Sequence, residues 1–172
     1  MITGRDFIIT SLQPWSTEIG STIKNTALEI SKQNRVLYIN TPMNWLEWRK
    51  ASKEKKEGKI RQINSNMWIV DLPFPVLPLN RIPFTWAFDK VNKINNQKIA
   101  AGILKAAESL KFRNFIHLID TDIYRSQYLK DMLHPNPPCY FQSIMPLSLH
   151  GESCSVPECL HIYLWQLFLQ CV

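Results

Sequence analysis

DFIITS (6–11), LQPWSTEIG (12–20), STIKNTALEISKQN (21–34) and RVLYIN (35–40) make one βαβ unit: an apolar run, a polar loop with one glycine, an amphipathic helix and a second apolar run. Strands that read as near-continuous apolar runs, not alternating ones, are those of a parallel sheet covered on both faces. The first strand is read at Asp6–Ser11 and the second at Arg35–Asn40. The helix begins near Ser21, a good N-cap, and Ile23, Ala27 and Ile30 stand at i, i+4 and i+7 as its buried stripe. Lys24 and Lys32 fall off that stripe, and Asn34 suits the helix end. In open α/β sheets ligands bind beyond the carboxyl ends of the strands, so the loop Leu12–Ser21 is the first place to look for function.

The rest of the chain continues the pattern. Thr41–Trp48 reads as a loop rich in Trp and Pro, and the basic segment after it as a protruding, solvated helix or loop. Met67–Asp71 is a third strand. PFPVLPLNRIP carries prolines at 73, 75, 78 and 83 and is expected to be extended and outside the ladder, because proline lacks a donor and fixes φ. Phe84–Leu110 has helical spacing, with Phe84, Phe88 and Val91 on one stripe and Ile99, Ile103, Ala106 and Leu110 on another. Asn95 and Asn96 mark a break between two helices. Phe115–Ile119 is a fourth strand, Asp120–Arg125 its exit loop, Ser126–Leu133 a short helix and Cys139–Ser143 a fifth strand. Strands alternating with helices predict an α/β fold: a Rossmann-like, doubly wound, mostly parallel sheet flanked by helices. This domain is placed at 1–144. From 145 to 172 the alternation stops, charges nearly vanish and HIYLWQLFLQCV is a bare apolar tail, as expected of a truncated or frame-shifted reading frame.

With 172 residues, 45% hydrophobic and 20% charged, the chain is long enough for one domain with a useful core. No secretory signal and no run of about 18 apolar residues is present. The net charge is +6, and residues 48–61 (WRKASKEKKEGKIR) hold seven Lys or Arg against two Glu, 7 − 2 = +5, so the remainder is nearly neutral and a nucleic-acid-coating role is not expected. The four cysteines, Cys139, Cys154, Cys159 and Cys171, show no zinc spacing and read as free thiols of a reducing compartment.

Three stretches could carry chemistry. The loop LQPWSTEIGSTIKN has neither G-x-G-x-x-G nor GK[ST], which removes the dinucleotide fingerprint and the P-loop. It leaves a generic anion or hydroxyl site at a helix N-terminus, or a plain turn with Trp15 capping the core. Asp120 and Asp122 follow a strand, with Tyr124, Arg125 and Tyr128 behind them. Such carboxylates bind a divalent ion or sugar hydroxyls, or cap the next helix and pair with Arg125. His117, inside an apolar strand, reads as a core histidine. The basic run, beside Trp45 and Trp48, suits an anionic membrane surface, or a solvated face with Glu54 and Glu57 interleaved.

Over residues 6–138, the QPW…IGS..KN loop and the D-x-D-x-x-R-x-x-Y-L-K stretch (Asp120, Asp122, Arg125, Tyr128, Leu129, Lys130) resemble, in order and spacing, the N-terminal half of bacterial GT-B glycosyltransferases. The group in view is the teichuronic acid biosynthesis (TuaH-like) group, near glycosyltransferase families 1 and 4. The resemblance implies one half of a GT-B fold, holding the acceptor, a glycan or a lipid-linked one. A nucleotide-sugar donor serves as co-substrate in the cleft toward a second Rossmann-like domain, which supplies an E-x(7)-E donor site. It implies no metal and no other cofactor, since helix dipoles and basic side chains neutralise the diphosphate. Gln13, Trp15, Gly20, Ser21, Lys24 and Asn25 would form one wall of the cleft, and Asp120, Asp122 and Arg125 would line its acceptor side. No catalytic base is assigned. The expected protein is a fragment of a cytoplasmic sugar transferase, peripheral on the inner membrane face through residues 48–61 and inactive alone. The alternative is a non-catalytic α/β module that docks on a membrane or a partner protein.

Overall fold

The structure, a computed structural model, describes residues 2–17, 21–120, 127–133 and 140–143. The expected tail at 145–172 and the four cysteines lie outside them.

In chain order the elements are β1 (Asp6–Ser11), α1 (Thr22–Ser31), β2 (Arg35–Ile39), α2 (Trp45–Lys50), α3 (Lys53–Lys56), β3 (Lys59–Asn64), β4 (Met67–Asp71), α4 (Thr85–Ser109), β5 (Ile116–Asp120), α5 (Leu129–Leu133) and β6 (Tyr140–Ser143). They build one six-stranded sheet in the order β3-β4-β2-β1-β5-β6. All neighbours pair in parallel except β3, which runs antiparallel to β4 at the edge. The fold is the expected α/β, Rossmann-like, mostly parallel sheet with helices on both faces.

Strand alternation divides the core in two. Phe7, Ile9, Val36, Tyr38, Met67 and Ile69 face α1, where Ile23 and Ala27 are buried and Ile30 packs beside them. Ile8, Leu37, Ile39 and Val70 face α4 and α5 on the other side, against Ile99, Ile103, Leu129 and Leu133. The chain moves from β1 to β2 in one direction, then from β4 back across both to β5. The direction of winding therefore reverses between β1 and β5.

Three readings are corrected. The Thr41–Trp48 loop contains the start of α2, because Asn44 and Glu47 form a capping box: Asn44 Oδ1 accepts from Leu46 N (2.9 Å) and Glu47 N (3.0 Å), and Glu47 Oε2 accepts from Asn44 N (3.1 Å). The basic segment does not simply protrude. Gly58, at φ +67°, turns it out of α3, and its last three residues, Lys59–Arg61, open β3, which pairs with β4 across a register shift between Gln62 and Asn64. Phe84–Leu110 is not two helices but one of 25 residues. Asn92, Asn95 and Asn96 fall on the same buried face as Ile99, Ile103 and Ala106. Asn34 closes the end of α1, as expected: its Nδ2 donates to Ile30 O (3.2 Å) and its backbone N to the same carbonyl (3.1 Å). Its buried side chain accepts from Arg5 N (3.0 Å) and donates to Ile2 O (3.0 Å), tying the N-terminal segment to the end of the α1 crossover.

The Pro-rich segment is extended and outside the sheet ladder, as expected, and forms a strap over the carboxyl edge. Asn95 holds it by both backbone groups of one residue: Leu77 N donates to Asn95 Oδ1 and Asn95 Nδ2 donates to Leu77 O, each at 2.9 Å. Val76 bridges to the start of α2, with Val76 N donating to Met43 O (2.9 Å) and Trp45 N to Val76 O (3.1 Å). Gly102 lets the strap approach α4, since a Cβ there would stand 2.8 Å from Leu72 Cδ2 and 3.0 Å from Phe74 Cε1.

Candidate functional site

Each parallel strand from β4 to β5 is an apolar run closed by a polar residue at or just beyond its carboxyl end: MWIVD, RVLYIN, FIITS and FIHLID. The register brings these closing residues into line. Asp71, Asn40, Ser11 and Asp120 stand side by side across four strands, all on the α1 side, with Ser143 of β6 next in register. The row is tied by short bonds. Asn40 Nδ2 donates to Asp71 Oδ1 at 2.6 Å, and Ser11 Oγ donates to Asp120 Oδ2 at 2.9 Å. Arg61 of β3 extends it, with its guanidinium 3.0 Å from Asp71 Oδ2. Ser11 and Asp120 flank the point where the winding reverses, the place where open α/β sheets bind ligands.

The β1 exit loop is pinned over this row. Gln13 N donates to Ser11 Oγ (3.1 Å), Thr41 Oγ1 donates to Ser11 O (2.7 Å) and Trp15 N donates to Asn40 Oδ1 (2.8 Å). Tyr38, fully buried one turn of the pleat below Asn40, donates its hydroxyl to Gln13 O at 2.7 Å. Burial pushes the Tyr38 phenol up, the Ser11 hydroxyl opposes this, and the Asp120 charge adds to the rise, so the ring stays neutral and keeps donating. Trp15, half-buried, stands edge-on to Tyr38, with centroids 5.2 Å apart and planes at 71°.

Lys24 corrects the sequence reading. It is not off the buried stripe but only 8% exposed. Its stem lies along the loop, and its ammonium donates to Thr17 O and sits 5.8 Å from the Trp15 ring centroid. Ser21 caps α1 as expected, accepting from Lys24 N at 3.3 Å. The first turn of α1 carries no acidic residue, so the positive end of the helix dipole is offset by no carboxylate of that turn.

A continuous chain of contacts thus joins Asp120, Ser11, Gln13, Tyr38, Trp15, Lys24 and Ser21. Asn25 is exposed on α1, and its side chain does not enter that chain. Gly20, Asp122 and Arg125 lie outside the described residues. Sequence reasoning missed Ser11, Tyr38, Asn40, Thr41 and Asp71. The signal for three of them was visible, namely the polar residue that closes each apolar run.

His117 is the core histidine that was expected. It is fully buried on the opposite, α4 side of β5, with Nε2 3.1 Å from Thr10 Oγ1 and Nδ1 without a hydrogen-bond partner among the described residues. Burial lowers its pKa to about 4, which leaves the ring neutral at pH 7. Among the described residues, no three His, Cys, Asp or Glu gather closely enough to hold a metal ion. Among the same residues, no helix is long and apolar enough to cross a membrane. No protein-family model, no curated protein and no solved structure matches the chain.

Proposed function

We propose that the chain is the acceptor-side, Rossmann-like half of a GT-B glycosyltransferase, which transfers a sugar from a nucleotide-sugar to a surface polysaccharide or lipid-linked acceptor. The observation that carries the reading is the row Asp71–Asn40–Ser11–Asp120 at the winding reversal, roofed by a loop that presents Trp15 and Lys24. Carboxylate, amide and hydroxyl groups are the partners sugar hydroxyls need. An aromatic ring offers an apolar face, and a buried ammonium beside a helix N-terminus offers positive charge to a phosphate. In this reading Ser11, Gln13 and Asp120 hold hydroxyls, while Lys24 and the first turn of α1 face the anionic end of the ligand. The reaction takes place in the cytoplasm, at the inner face of the membrane.

The alternative, a non-catalytic module docking through residues 48–61, has less support. Lys59 is paired with Glu54 and Arg61 with Asp71, and the last three residues of that segment are spent on an edge strand. Binding of UDP-, GDP- and TDP-sugars to the chain joined to its downstream reading frame tests the proposal. Binding lost in Ser11→Ala and Lys24→Gln is the result expected. Downstream DNA with no second Rossmann-like domain in any frame, or a full-length protein that binds none of these sugars, would overturn it.

A further inference from the structure

The 25-residue helix α4 has a second stripe. Asn92, Asn95, Asn96, Ile99 and Ile103 are buried on one side. On the other side Lys90, Ile94, Gln97, Ala101, Leu104 and Glu108 are all exposed, and they recur at alternating steps of four and three. That is the spacing of a seam between two paired helices. At about 100° per residue, the mean direction of the six lies directly opposite Ile99. Ile94 is 37% exposed and Leu104 41%. Among the described residues, neither Lys90 nor Glu108 takes part in an ion pair.

The order of these six residues is self-complementary. Ile94 and Leu104 stand five positions either side of Ile99, Gln97 and Ala101 two, and Lys90 and Glu108 nine. A two-fold axis at the level of Ile99, with the helices antiparallel, maps each member of a pair onto the other. Ile94 then meets the partner's Leu104, and Gln97 meets the partner's Ala101, a small side chain at the centre of the seam. Lys90 meets the partner's Glu108, so the register that joins the apolar residues also joins the charges. Lys93 and Lys105 lie about 60° to either side of the seam, on opposite flanks, so the axis brings neither against the other. Lys98, about 80° off the seam, keeps its ammonium in solvent, where repulsion from its equivalent is screened. An anionic lipid surface would repel Glu108 on the mid-line of the stripe. A second copy gives that carboxylate a cation and Ile94 an apolar neighbour at once.

We propose that the outward face of α4 pairs antiparallel with α4 of a second copy of this chain, in a two-fold dimer whose seam is centred at the level of Ile99. The inference stands apart from the sugar-transfer reading, because it concerns another surface and is tested without a sugar.

The test joins sedimentation velocity of the full chain to zero-length carbodiimide linking read by mass spectrometry. One helix face is a small interface, so a monomer–dimer equilibrium with a Kd of about 10–100 µM is expected. Lys90 and Glu108 are 18 positions apart in one helix. That is about 27 Å, so a direct link between their side chains forms only across two chains. This link is expected in the dimer. Leu104→Ser should abolish both dimer and link, at unchanged thermal stability in dilute solution. Lys90→Glu should weaken association about tenfold, because two ion pairs are lost per dimer. Lys90→Glu combined with Glu108→Lys should restore it. A chain that stays monomeric to about 500 µM, well above the expected Kd, would overturn the proposal. So would a dimer without the Lys90–Glu108 link, or a double variant that associates no better than Lys90→Glu. Binding of a monomeric chain to phosphatidylglycerol vesicles, abolished by Lys90→Glu, would assign the face to lipid instead.

Discussion

Two segments leave the carboxyl edge of the sheet to start a crossover helix, and they are held down in opposite ways. The β1 exit loop is pinned from below by the strand ends themselves, through Ser11, Tyr38 and Asn40. Ser11, Tyr38 and Asn40 are themselves buried, but they stand at or next to the carboxyl ends of their strands, beside the winding reversal. The strap after β4 is pinned from the side by Asn95, an asparagine 4% exposed in the middle of a helix, far from any strand end. Both segments spend polar side chains on backbone partners. Only the first keeps carboxylate and hydroxyl oxygens, an aromatic face and an ammonium together at the reversal. The difference is one of place, between buried polarity in the middle of a helix and buried polarity at the strand ends, where open α/β sheets bind ligands.

The strap should be the more costly to disturb. Asn95→Ala removes both bonds to Leu77 and is expected to lower unfolding stability by about 2–4 kcal/mol, measured by urea denaturation. A loss as small as that of a surface substitution would make the strap dispensable. Acid should act on the same side of the sheet. His117 has a folded pKa of about 4 against 6.5 when exposed, so the unfolded chain binds its proton first. The stability it contributes is complete above pH 6.5 and is lost as pH falls toward 4. By about pH 5 the loss from this group is about 2 kcal/mol, and His117→Gln should flatten the slope of stability against pH. Tyr38→Phe, on the loop side, deletes one bond to Gln13 O and should cost about 1 kcal/mol. Asp120→Asn keeps an oxygen for Ser11 and should change stability by less than about 0.5 kcal/mol, yet weaken nucleotide-sugar binding about tenfold. A large stability loss in Asp120→Asn with unchanged binding would place Asp120 among the structural groups.

The parallel core was legible because strands covered on both faces need continuous apolar runs, and FIITS, RVLYI, MWIVD and FIHLI supply them. The edge strand was not. KIRQIN is exposed along its whole length, and only pairing with β4 makes it a strand. Asn95 and Asn96 read as a break because asparagine is a weak helix former. Yet their spacing to Ile99 and Ile103 already placed them on the buried face, and their partners, the strap and Tyr128, come from distant sequence. Lys24 misled in the same way: charge argued for solvent, while the carbonyl of Thr17 and the ring of Trp15 made burial tolerable. Four of the nine site residues expected from sequence (Gln13, Trp15, Lys24 and Asp120) meet at the row, and Ser21 reaches it through Lys24. The row itself rests on register, which a single strand read alone does not reveal.

The most direct test of the edge site is a titration of the chain, isotopically labelled and joined to its downstream reading frame, with UDP-, GDP- and TDP-sugars, followed by amide shifts in NMR spectra. The account expects shifts gathered at Ser11–Thr17, Ser21–Lys24 and Asp120, abolished by Ser11→Ala. Shifts confined to the strap or to α4, or none with any of the three donors at millimolar concentration, would contradict it.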